Sequence, residues 1–132
     1  NLYMGLAGEA TCVLPPETML PACGQGVIGI TCREGDHISR QCVEKVNHSE
    51  TMIRITAERA MLNILDGTCR TPIGGLAELT GEGILLLRGL VARPDGSMLF
   101  TGHETGPSAD AEKLGQELGA RLRVESGDNL FC

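Results

Sequence analysis

The sequence predicts an α+β domain over residues 47–132, a small three-stranded antiparallel sheet with helices packed on one face. Three observations carry that expectation. Apolar residues recur at helical spacing on both sides of a middle stretch. Three short runs with strand character fill that stretch, and turn-forming residues separate the runs.

The first helix is expected over residues 50–65. Ile53, Ala57, Ala60, Met61 and Ile64 form its apolar stripe, and Arg54, Glu58 and Asn63 lie off it. Ser49 is the expected N-cap, Glu50 suits the positive end of the helix dipole, and Asp66-Gly67 stops the helix. Strands follow at 73–79, 84–92 and 97–105, joined by turns at 80–83 and at Pro94-Asp95-Gly96. The last helix spans 109–125, capped by Ser108, with Ala111, Leu114, Leu118 and Leu122 on its apolar side.

The residues ahead of this unit read differently. Pro15-Pro16 excludes helix and continuous strand within 1–19. Residues 20–26, LPACGQG, have the composition of a linker. The apolar run 27–32, VIGITC, reads as a short buried strand, and Asp36 caps a helix over 37–46. An isolated strand leaves both edges unpaired, so 20–46 is expected to pair with another domain.

Composition narrows the function. The core must be aliphatic, because Tyr3, Phe100 and Phe131 are the only aromatic residues. A net charge of -6 argues against nucleic acid and against an anionic membrane surface. No apolar run is long enough to span a bilayer, and the first residues lack the pattern of a signal peptide. The chain begins without Met and is expected to belong to something longer. The six cysteines, at 12, 23, 32, 42, 69 and 132, include no C-x-x-C pair, which disfavours structural zinc. They suit free thiols in a reducing, cytoplasmic setting.

Several stretches together resemble one family, the hydroxymethylbilane synthases (porphobilinogen deaminases). They are LPACGQGVIGITCR (20–33), NHSETMIRITAERAML (47–62), LDGTCRTPIG (65–74), LRGLVARPDGS (87–97) and GPSADAEKLG (106–115). The resemblance implies three domains, the first two similar to periplasmic binding proteins. Residues 1–19 would then be the tail of domain two and 20–26 the hinge. Residues 27–46 would be the strand and helix returning to domain one, and 47–132 would form domain three.

The implied chemistry is tetrapyrrole biosynthesis. Four porphobilinogen molecules condense with loss of ammonia onto a dipyrromethane primer, and hydrolysis releases hydroxymethylbilane. By resemblance, the primer is held by a thioether at Cys69. A thiolate is the best side-chain trap for the carbon electrophile left by ammonia loss, and a loop keeps it reachable. The other five cysteines are expected to be buried and inert.

Arg33 is the candidate for substrate carboxylates, which arginine pairs bidentately; otherwise it is a solvated strand-end residue. Gln25 and Gly26 either contact the cofactor or shape the hinge. Arg54 and Arg59 are expected to pair with Glu50, Glu58 or Asp66. His37, His48 and His103 have no metal-ligand spacing and suit surface or capping roles. Thr68 and Arg70 depart from the Gly and Gln common in the family. The resemblance implies that the catalytic aspartate belongs to domain one, so no catalytic residue is expected here, and the 132 residues alone are expected to be inactive. Expected partners are porphobilinogen, the growing pyrrole chain and the N-terminal domains of the same enzyme, which would be monomeric at full length. The alternatives are a non-catalytic α+β interaction module and a thiol-redox or metal protein, which the cysteine spacing disfavours.

Overall fold

The sheet has the order β1-β2-β3, each neighbour antiparallel, with β1 at Ile73–Leu79, β2 at Ile84–Ala92 and β3 at Leu99–Pro107. The computed structural model describes residue 5 and residues 7–66 and 72–127. Its helices are α1 (His37–Lys45), α2 (Ser49–Ile64) and α3 (Ala111–Ser126). The first hairpin turns through Gly81, Glu82 and Gly83, at φ 89°, 41° and 77°, which is why glycine brackets the turn. β3 starts two residues later than the sequence suggests. The Asp95 carboxylate accepts from the Ser97 amide (3.0 Å) and hydroxyl (2.7 Å), so the turn continues past Gly96. At the far end the ladder runs on until Pro107 pairs with Ile84.

Helices α2 and α3 cover one face of the sheet, as expected. Leu85, Leu87 and Val91 of β2 point at them and are fully buried, together with Ala57, Met61, Ala77, Leu118 and Leu122. Each buried leucine contributes about 2 kcal/mol of transfer free energy. A row of glycines, Gly75, Gly89 and Gly102, lies in register across the three strands on this face. A methyl group at Gly75 would stand 2.6 Å from Met61 Cε, and one at Gly89 2.6 Å from Met61 Sδ. One at Gly102 would stand 2.9 Å from Leu118 Cδ1. The row is therefore a trough into which Met61 and Leu118 press. The two helices also approach each other closely at Gly115 and Gly119, where a methyl group would lie 2.7 Å from Ala60 Cβ and 2.8 Å from Ile64 Cβ.

Several sequence expectations need correction. His48, not Ser49, is the N-cap of α2, its Nδ1 accepting from the Thr51 amide at 3.3 Å. His48 is extended whereas Ser49 is already helical. Ser108 does not cap α3. Residues Ser108–Asp110 form a 3-10 turn, and the Ser108 amide donates to the Gly83 carbonyl at 2.7 Å, fastening it to the first hairpin. The strand expected at 27–32 does not form. Its apolar residues are exposed, Ile28 to 90%, and no strand among the described residues lies beside it. A strand needs a neighbour to take its amides, whatever its propensity. The following helix, α1, is capped by Asp36 as expected, at 3.0 Å from the Ser39 amide. It buries none of its residues.

Candidate functional site

The connection from α2 to β1 is held at both ends. Leu65, the C-cap of α2, is buried, and its amide bonds to the Met61 carbonyl at 3.2 Å. Asp66 follows at φ 50°, so the chain turns out of the helix at Asp66 itself. Arg123 of α3 donates from one nitrogen to the Ile64 carbonyl (2.8 Å) and to the Asp66 carboxylate (2.9 Å), closing the helix end. On the other side, the Ala92 amide binds the Pro72 carbonyl at 2.9 Å and continues the β1–β2 pairing back to the connection. Asp66 is exposed, so the connection leaves from the surface. Gly67, Cys69 and the flanking Thr68, Arg70 and Thr71 lie outside the described residues.

A carboxylate that the helical periodicity placed off the apolar stripe proves to be central. Glu58 is only 6% exposed. Its Oε2 accepts from the Gly24 amide at 2.7 Å and its Oε1 from the Ala77 amide at 2.9 Å. The Gly75 amide donates to the Pro21 carbonyl at 2.9 Å, so two outward amides of β1 are satisfied without a fourth strand. Cys23 packs against the core between these contacts. Burial, helped by the negative charge of Glu58, pushes its thiol pKa up to about 12. The only sequence signal for this arrangement was the pair of small residues, Ala57 and Ala60, flanking Glu58, which permits close approach.

On the opposite face of the sheet, Pro16, Glu17, Thr18 and Leu20 line a cavity together with β2 and β3. Arg88 bridges Glu17, at 2.9 Å, and Glu78. A hydrogen bond from its own backbone amide, and then the Arg88 guanidinium, hold the Glu17 carboxyl below its ordinary range.

The remaining candidates separate. Gln25 is exposed, and its amide donates to the Ala22 carbonyl at 3.4 Å. Gly26, at φ 74°, opens a groove of about 540 Å³ that it shares with residues 27–31, the end of α1 and Arg59 of α2. Arg33 is exposed and lies outside that groove, so the structure brings Gly26 and Arg59 together but leaves Arg33 apart. Arg54 approaches Glu50 at 3.9 Å, as expected, whereas Asp66 pairs with Arg123 instead. His48 serves as a cap, and His37 and His103 are exposed. Of the five cysteines expected to be buried, Cys12, Cys32 and Cys42 are exposed, because the segments carrying them lie outside the core; Cys132 is outside the described residues. Among the described residues no helix is long and apolar enough to cross a membrane.

Two family models match the chain. Residues 52–124, which take in most of α2, the whole sheet and nearly all of α3, match the C-terminal domain of porphobilinogen deaminase. Residues 3–41 match the model described as the dipyromethane cofactor binding domain of porphobilinogen deaminase. A sheet-and-helix domain preceded by a cofactor-binding segment is the arrangement of a tetrapyrrole-building enzyme. The chain belongs to the porphobilinogen deaminase family, and with it to tetrapyrrole biosynthesis.

Proposed function

We propose that this chain anchors the dipyrromethane primer of porphobilinogen deaminase through a thioether at Cys69. The observation that carries the reading is the placement of the α2–β1 connection. Its ends are fixed by Leu65, Arg123 and Pro72, and its exposed start lies inside the segment matched to the C-terminal domain. A connection that starts at an exposed residue and is fixed at both ends suits a tether that must be reachable and must hold its base still. When bound, the primer supplies the terminal pyrrole carbon to which porphobilinogen is joined.

The chain's own residues then have separate tasks. Cys69 holds the primer. Gln25 and Gly26, within the match named for cofactor binding, line its approach, and Arg33 in the same match pairs with substrate carboxylates. Residues 1–19 end domain two, 20–26 form the hinge, 27–46 return to domain one and 47–132 make domain three. The exposed apolar side chains of Val27, Ile28 and Ile30 support that return, since a neighbouring domain would cover them. The catalytic aspartate lies in domain one, so residues 1–132 alone do not polymerise porphobilinogen. The complete enzyme acts as a cytoplasmic monomer.

Intact-mass measurement of the complete enzyme tests the anchor. The mass should exceed that of the polypeptide by a two-pyrrole adduct, which Cys69→Ser loses and Cys23→Ser keeps. An adduct that survives Cys69→Ser sinks the proposal.

A further inference from the structure

We infer that Glu58 is a positioning residue that bolts the 20–25 turn to the sheet, so that the pivot toward the neighbouring domain begins at Gly26. The inference rests on the domain partition proposed above and moves the flexible point within it. The linker composition of the turn predicts that it swings freely. Instead its ties to the C-terminal domain are numerous. Both carboxylate oxygens of Glu58 are engaged, one by Gly24 and one by Ala77 of β1. The Pro21 carbonyl takes the Gly75 amide, and Leu20 and Pro21 lie so close over β1 that a methyl group at Gly74 would meet Leu20 Cβ at 3.2 Å. Cys23 packs against the core, and just upstream Glu17 pairs with Arg88.

The contrast with the following residues is sharp. Among the described residues, 26–32 make no backbone–backbone hydrogen bond. Methyl groups at Gly26 or Gly29 would meet nothing within 4 Å, and Gly26 is already at φ 74°, which suits glycine. A rotation that begins at Gly26 therefore breaks no bond to β1, whereas one that begins at Leu20 breaks all of them.

The chemistry explains why the residue is a glutamate. The free edge of β1 presents amides that a fourth strand would otherwise take. A carboxylate offers two acceptor oxygens and no donor, so one side chain can serve amides from two separate segments. Such charge-assisted bonds are stronger than neutral ones. Glutamine cannot replace it, because its NH2 group would face one of the two donors. The result is that Gln25 keeps a fixed position relative to β1, and so to the base of the Cys69 connection, however the domains move.

Amide hydrogen exchange on the whole chain tests this. In the unmodified chain, the Gly24 amide should be protected to the same degree as Ala77, while residues 27–32 exchange freely. In Glu58→Gln, exchange at Gly24, Ala77 or both should quicken at least about tenfold, with Met61 and Leu87 still protected as proof of an intact core. The idea is overturned if Gly24 exchanges as fast as 27–32 in the unmodified chain, or if Glu58→Gln leaves both amides as protected as before. The first comparison needs no variant, so it decides even if Glu58→Gln fails to fold. Neither readout involves Cys69, so the result stands apart from the adduct measurement.

Discussion

Replacing Gly115 by alanine sets helix propensity against packing, and the structure decides which wins. In a free helix the change is stabilising by about 1 kcal/mol. Here the added methyl would sit 2.7 Å from Ala60 Cβ and 3.0 Å from the Met61 amide nitrogen, and nearer still to the Ala57 carbonyl oxygen. These are backbone atoms or a Cβ, none of which can rotate aside, so α2 and α3 must separate. Overpacking of this kind costs about 1–3 kcal/mol, and rigid neighbours place it at the upper end. The separation also loosens Ala57, Met61 and Leu118, all fully buried. The net expectation is destabilisation by about 2 kcal/mol, or about 10 °C in Tm for a domain of this size. Urea unfolding followed by far-UV circular dichroism would show the midpoint fall by about 1 M. Gln116→Ala, on the exposed side of α3, should stay within about 0.5 kcal/mol of the parent. A Gly115→Ala,Gly119→Ala double variant should cost less than the sum of its parts, because one separation relieves both clashes. An unchanged or raised midpoint in Gly115→Ala would refute the close helix contact.

Two further outcomes follow from the core. Met61→Ala opens a void over Gly75 and Gly89 and should destabilise by about 3 kcal/mol, measured in the same urea titration, because a glycine floor cannot collapse into the space. Cys23 should make stability fall in alkali. Its thiol pKa rises from an ordinary 9.0 to about 12 on folding, so its contribution is complete below pH 9 and is lost as pH climbs toward 12. Cys23→Ala should flatten that part of the profile. With Ellman's reagent, Cys12, Cys32 and Cys42 should react in the folded chain and Cys23 only after unfolding.

What could be read from the sequence was what is local. The stripes of α2 and α3 and the two hairpin turns depend on near neighbours, and the structure reproduces them within two residues or so at their ends. The caps were harder. A histidine ring can accept from an amide as a hydroxyl does, and the backbone at His48 decided that it, and not Ser49, would do so. The run 27–32 has strand composition but no strand beside it, and pairing is a property that no single segment carries. Glu58 escaped for a related reason. Its place off the apolar stripe suggested solvent, but its partners are backbone amides from the 20–25 turn and from β1, which only the assembled fold brings together. The resemblance around Cys69 rests on adjacent residues, whereas the supports of the α2–β1 connection, Arg123 above all, come from the far end of the chain.

The glycine trough has a consequence for how this domain can vary. The sheet contributes no side-chain volume at Gly75 and Gly89, so the bulk there is contributed by Cys23 and Met61 over Gly75 and by Met61, Leu118 and Leu122 over Gly89. Bulk could reside in either layer, with a smaller residue at 61 and alanines beneath it. Passing from one arrangement to the other requires a change at 61 and at both glycines, and any one of them alone leaves either a void or a collision. The domain is thus confined to its present division of volume by the absence of a passable intermediate, even where the alternative would pack equally well.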